Sequence, residues 1–138
     1  MALLARREHS TREIERKLGI REFGPEAVAQ AISQMQQEGL QSDRRFTDSY
    51  IHSRIEKGYG PVRIALELRD KGIADELIEE FLTAREADWP ACITRVLEKK
   101  FGPARPGNFR EQARQAKFLQ YRGFSSEQIR RVFKADND

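Results

Sequence analysis

One cysteine, Cys92, is all the thiol this chain carries, which excludes an internal disulfide and any cysteine-built zinc site. It fits a reducing compartment, and the cytoplasm is the expected location. Histidine is nearly as scarce. His9 and His52 stand alone, without a His-Glu-x-x-His or Cys-x-x-Cys pattern, so no metal centre and no cofactor are expected. No apolar run approaches the roughly 20 residues of a membrane-spanning helix. Met1 to Leu4 is too short for a secretory leader, so no membrane association is expected. Only five prolines and nine glycines interrupt the 138 residues, and nowhere does apolar character alternate as a strand requires.

What remains is helical periodicity with dense charge. Charged residues make up 34% of the chain against 38% apolar, a balance suited to helices with wide solvated faces. "STRE" at Ser10–Glu13 reads as a reciprocal capping box, after which Ile14 and Leu18 share one face. Gly24-Pro25 starts another helix with Ala27, Val28, Ala31, Ile32 and Met35 as its buried stripe, ended by Gly39. Phe46, Tyr50, Ile51 and Ile55 line the next, then Ile64, Ala65 and Leu68, then Leu77, Ile78, Phe81 and Leu82. Asp88 is a candidate N-cap for a helix carrying Ile93, Val96 and Leu97, and Asn108–Glu111 resembles a further capping box.

"IEKGYGP" at Ile55–Pro61 and "LEKKFGP" at Leu97–Pro103 repeat one pattern: aliphatic, Glu, Lys, any residue, aromatic, Gly, Pro. A phosphate-cradling loop would need Gly-x-x-x-x-Gly-Lys followed by Ser or Thr, after a strand. Here a proline follows Gly60, removing an amide donor, so the turn reads as structural. Further correspondences extend the repeat. Leu68, Gly72, Ile78 and Leu82 match Leu119, Gly123, Ile129 and Phe133, while Ile14 and Leu18 match Ile64 and Leu68. The chain is therefore read as all-α: three tandem three-helix repeats over 1–42, 43–87 and 88–138, stacked into an elongated molecule. The first helix is read as beginning at Met1.

Catalytic chemistry finds no footing. His9 is expected to be partly exposed at a helix start, and His52 to lie on a solvated face. Cys92 reads as a small core residue without a base, and Trp89 as the anchor between the second and third repeats. The surface is more informative. Residues 1–42 carry six basic and six acidic side chains, 43–87 eight and ten, and 88–138 eleven and six, giving 0, −2 and +5. Glu79, Glu80 and Thr83 become Arg130, Arg131 and Lys134 at equivalent positions of the third repeat, where packing does not demand a charge reversal. Lys99, Lys100, Arg105, Arg110, Arg114 and Lys117 add to that basic third. Arg110, Arg114 and Lys117, spaced four and three apart, share one helix face. Arg54, Lys57 and Arg63 cluster around the first copy of the turn. Such surfaces either stay solvated or meet an anionic partner.

"LLARREHSTREIERKL" (residues 3–18), "SDRRFTDSYIHSRIEKGYGPVRIALELRDKGI" (42–73) and "FLQYRGF" (118–124) together make nearly the whole chain resemble the RecX regulatory proteins of bacteria. Ser42 and Thr47 stand where the family signature has Asp and Ala, and the family carries further residues ahead of the Ala-Arg-Arg segment, so either the first helix is abbreviated or the sequence is trimmed there. The resemblance implies a curved, elongated stack of three-helix repeats. It implies a monomer that docks in the groove of the RecA filament on single-stranded DNA, moderates ATPase, strand exchange and co-protease activities, and binds DNA itself more weakly. A direct DNA-binding protein with tandem helix-turn-helix-like units is the alternative. An enzyme ranks third.

Overall fold

Helix boundaries follow the side chains that satisfy their first amides. The computed structural model describes residues 7–137, and of residues 20, 21 and 135–137 the backbone alone. Ser10 opens α1, Thr11–Leu18: its hydroxyl accepts from the Glu13 N–H while the Glu13 carboxylate accepts from the Ser10 N–H. A single turn, α2 (Ile20–Phe23), which the periodicity does not announce, precedes α3 (Pro25–Gln37). Then come α4 (Asp43–Glu56), α5 (Pro61–Asp70) and α6 (Asp75–Thr83). A 3-10 turn at Glu86–Asp88 leads into α7 (Trp89–Phe101), α8 (Phe109–Arg122) and α9 (Ser126–Asn137). Among the described residues there is no strand, and the structure is all helical. The helix read as beginning at Met1 lies outside the described residues.

The chain divides into two compact units. One comprises the chain up to Tyr50 together with Glu67–Phe81, and the other comprises Ile51–Leu66 with the chain from Leu82 onward. In the first, Ile14, Val28, Ile32 and Met35 form a buried cluster with Leu18 against it. Each such burial stabilises by about 1.5–3 kcal/mol. Phe46 stacks on Tyr50 at 5.5 Å between ring centroids, and Leu68 is fully buried. In the second unit, Ile64, Ile93, Leu119, Phe124 and Phe133 are buried, and Trp89 meets Phe124 edge-on at 6.3 Å.

Several expectations change. Ala27 is exposed rather than part of the α3 stripe, because Val28, Ile32 and Met35 already fill the inward face at spacings of four and three. Asp88 precedes α7 but makes no capping hydrogen bond; its backbone is already helical after the 3-10 turn. Asn108 caps α8 as expected, yet Glu111 reaches past it to the Gly107 N–H at 2.7 Å.

His9 is the largest correction. It is only 2% exposed, not a partly exposed helix-start residue. Its Nδ1 lies 3.0 Å from the Arg7 carbonyl and its Nε2 3.1 Å from the Lys17 ammonium. A carbonyl only accepts and an ammonium only donates, so the ring is the neutral Nδ1–H tautomer. Burial, reinforced by Arg7, holds its pKa below the ordinary value. Gln41 closes the space by donating to the His9 carbonyl and to Asp43. Thr47 is fully buried with its hydroxyl on the Asp43 carbonyl at 2.7 Å.

Glu13 is the charged member of this buried group. Burial alone would raise its pKa, but a bidentate pair from Arg7 at 3.0 Å, the Ser10 N–H and Lys71 at 3.2 Å outweigh it. They hold the carboxyl at about 2, against an ordinary 4.5. A depressed carboxyl stabilises the folded state above its unfolded pKa, and that stabilisation is lost as pH falls through the folded one. Glu13→Gln is expected to cost about 2–3 kcal/mol at neutral pH. The gap between variant and wild type in urea unfolding should close between pH 4.5 and about 2. A gap independent of pH would show that the carboxylate's charge is not what matters.

Candidate anionic-partner interface

Helical geometry assembles the most regular charged surface of the second unit. Arg110, Arg114 and Lys117 fall on one side of α8, as their spacing predicts, and all three are exposed. Tyr121, 76% exposed, continues the same line four residues on. Positions i, i+4, i+7 and i+11 lie within about 60° of one another around the axis and span about 16 Å along it. Arg114 is held from behind by the Phe101 ring, 5.6 Å from its guanidinium carbon. Neither Arg110, Arg114 nor Lys117 has a carboxylate partner among the described residues. The first unit differs: Arg7, Arg44, Arg45, Arg69 and Lys71 all pair with acidic side chains there. Cations left unneutralised on one face create a positive potential there.

Two residues of α9 join this surface. Arg130 and Lys134 share with Lys117 the rim of an open groove of about 750 Å³, floored by Ala116, Ile129 and Phe133. Arg131 does not join it. Its guanidinium pairs with Glu127 at 2.6 Å and lines a different recess beside Trp89. Glu80, its counterpart in the second repeat, pairs instead with Arg44. Arg105 sits exposed in the connection between α7 and α8.

The turn at Lys57–Pro61 gathers a second group. Gly60 donates to the Arg122 carbonyl and Val62 to the Gly123 carbonyl, both at 2.9 Å, so this glycine-rich segment is a packing junction. A Cβ on Gly60 would stand 2.6 Å from the Gly123 backbone. Around it, the guanidinium carbons of Arg54, Arg63 and Arg122 lie 4.0, 4.3 and 5.0 Å from the centre of the Tyr59 ring. Lys57, Lys99 and Lys100 are brought together nearby, with Arg95 and Arg122, around a smaller concavity. The expected cluster of Arg54, Lys57 and Arg63 is thus partly split: the arginines face Tyr59 and the lysine faces α7. Arg122, Arg95 and Tyr121 were not anticipated. For Tyr121 the i+4 spacing from Lys117 was the available signal; for Arg122 and Arg95 the convergence is tertiary.

Chemistry of other kinds is poorly housed. Burial pushes the Cys92 thiol up, disfavouring the thiolate. His52 is exposed and faces Glu56 at 3.1 Å. Among the described residues no group of three His, Cys, Asp or Glu side chains is placed to hold a metal, and no helix is long and apolar enough to cross a membrane.

Successive caps, glycine turns and equivalent core positions define a tandem three-helix repeat protein whose last repeat is basic. Models of the first, second and third three-helix domains of RecX match residues 1–35, 42–82 and 88–133. The chain is 46% identical over 130 residues to "Regulatory protein RecX" of Halorhodospira halophila, covering 94% of this chain and 81% of that protein. It is 42% identical to the protein so named in Pseudomonas entomophila, covering 96% and 85%. For that of Legionella pneumophila the identity is 40%, covering 97% and 89%. The crystal structure of RecX from Lactobacillus salivarius has the same fold, with a TM-score of 0.72 at 22% identity over 97% of this chain and 89% of that one. The chain belongs to the RecX family of regulatory proteins.

Proposed function

We propose that this chain is a non-enzymatic regulator that binds the RecA filament on single-stranded DNA and mainly inhibits its ATPase, recombinase and co-protease activities. It acts as a cytoplasmic monomer whose units are the repeats 1–42, 43–87 and 88–138. The observation that carries the reading is the line of Arg110, Arg114 and Lys117, cations without carboxylate partners on a repeat protein of this family. A regulator that recognises an assembled filament needs an extended charged surface more than a pocket, because filament and bound strand present regularly spaced anions. Arg130 and Lys134 extend the same sign of charge beside that line.

Direct DNA binding is the second reading, favoured by Tyr121, an exposed aromatic in line with three cations that could stack on a base. Co-sedimentation separates the two. With preformed RecA filaments and with bare single strands at equal nucleotide concentration, the regulator reading expects the chain to pellet with filaments at concentrations where bare strands retain little. On bare strands, affinity should fall with salt along a log–log slope much shallower than the roughly −4 expected for about six neutralised phosphates. Equal retention on both, with the steep slope, would assign the chain to DNA alone.

A further inference from the structure

The concavity beside the Lys57–Gly58 turn stands apart from the α8 line and has a different form. Lys57, Arg95, Lys99, Lys100 and Arg122 surround about 320 Å³, and Glu56 is the one carboxylate in the lining. Five cations against one acid leave +4. None of the five has a carboxylate partner among the described residues. Lysine and arginine are common in the last turn of a helix, where they answer the dipole, and three helices end here: α4, α7 and α8. Each terminus supplies about half a negative charge, so together they offset about 1.5 units. A surplus of more than two positive charges persists in a confined space.

The cations are also held in place. Arg122 donates to the Lys57 carbonyl at 3.2 Å and lies 5.2 Å from the centre of the Phe118 ring, while the Lys100 ammonium lies 5.6 Å from the same centre. Phe118 is itself fixed edge-on against Phe101 at 5.5 Å. Gly58 brings the turn onto α7 so closely that a Cβ there would sit 3.3 Å from Val96. An aromatic wall that orients two cations, and a backbone tie on one of them, reduce the ordering cost that a bound anion would otherwise meet.

We propose that this concavity binds a compact polyphosphate anion, the di- or triphosphate of a nucleotide being its biological form. A nucleic-acid strand presents one charge per residue along a track, which matches the linear array on α8. Here five cations converge from three segments onto one volume, a number suited to a ligand carrying three or four negative charges. A volume near the lower end of ligand cavities suits a small molecule. Charge-assisted contacts from several directions favour adjacent phosphates over a single one.

Isothermal titration of the full chain with ATP, ADP, pyrophosphate and inorganic phosphate tests this. ATP, ADP and pyrophosphate are expected to saturate one site, at least about tenfold tighter than inorganic phosphate. A response to ATP and ADP but not pyrophosphate would overturn the polyphosphate assignment in favour of a base-reading site. Lys99→Gln with Lys100→Gln should weaken ATP binding by about tenfold or more, and Glu56→Gln, which removes the one acid, should tighten it severalfold. Arg110→Glu, Arg114→Glu and Lys117→Glu together, outside the lining, should weaken it only through the long-range field, a loss that added salt removes, whereas the loss in the Lys99 and Lys100 variant persists in salt, so this site and the filament interface are told apart. The proposal is overturned if the folded wild type shows no saturable binding of ATP or pyrophosphate at millimolar concentration, or if neither pocket variant shifts it. It is equally overturned if a short oligothymidylate displaces ATP and binds Lys99 and Lys100 more tightly, which would make the concavity part of a strand-binding groove.

Discussion

Gly123→Ala is expected to destabilise the protein by about 3 kcal/mol or more, the largest cost of any single methyl group here. Gly123 holds φ at +99°, a left-handed conformation that a side chain disfavours by about 1–2 kcal/mol. Space adds to this. The new Cβ would stand 2.3 Å from the Arg63 Cβ and 2.9 Å from its backbone nitrogen. Neither segment can retreat cheaply, because Gly60 and Val62 donate to the Arg122 and Gly123 carbonyls across the same contact. Gly39→Ala is the control. Gly39 also ends a helix at positive φ (+76°), yet an added Cβ would meet nothing within 4 Å, so the cost should stay near the conformational 1–2 kcal/mol (about one third to two thirds as large). Urea denaturation of both variants decides the matter: equal midpoints would mean that the close approach of the two turns contributes nothing.

The two copies of the turn show what a sequence can and cannot disclose. Gly60 and Gly102 occupy the same place in two copies of one motif, and the motif correctly announces repeat architecture and an all-helical fold. Their surroundings nevertheless differ completely, because the neighbour of Gly60 is Gly123, sixty-three residues away. Capping was legible where it is local. Ser10 with Glu13 forms the expected box, and Ser125 caps α9 with Gln128 returning the bond. The burial of His9 is not legible for the opposite reason: Gln41, which closes over it, comes from thirty-two residues on. On the candidate interface, the face shared by Arg110, Arg114 and Lys117 followed from spacing alone, since all lie on one helix. The convergence of Arg95, Lys99 and Arg122 with Lys57 did not, since it requires three helix ends to meet. Charge reversal between Glu79–Glu80 and Arg130–Arg131 drew attention to the third repeat, but Arg131 turns to Glu127 instead of joining the basic surface.

Reversing Arg110, Arg114 and Lys117 to Glu changes one face of α8 by six charge units while touching no buried residue. Buried neighbours such as Gln115 and Leu119 lie on the other side of the helix, so the variant should keep its circular dichroism and its urea midpoint. An exposed face that meets nothing contributes little, and its reversal would leave activity as it was. A face that docks against an anionic surface behaves otherwise, since each reversed charge converts attraction into repulsion and slows association. Loss should be about tenfold or greater in the concentration needed for half-inhibition, and raising salt should weaken the wild type towards the variant.

The direct measurement is therefore a side-by-side titration of folded wild type and triple variant into RecA filaments on single-stranded DNA, with ATP hydrolysis as the readout. Wild type is expected to inhibit hydrolysis in a salt-sensitive manner, and the triple variant to require about ten times more protein or fail altogether. Equal inhibition by both would remove the α8 face from the interface. No inhibition by the wild type, at concentrations where it is folded and filaments are intact, would contradict the proposed regulation of RecA itself.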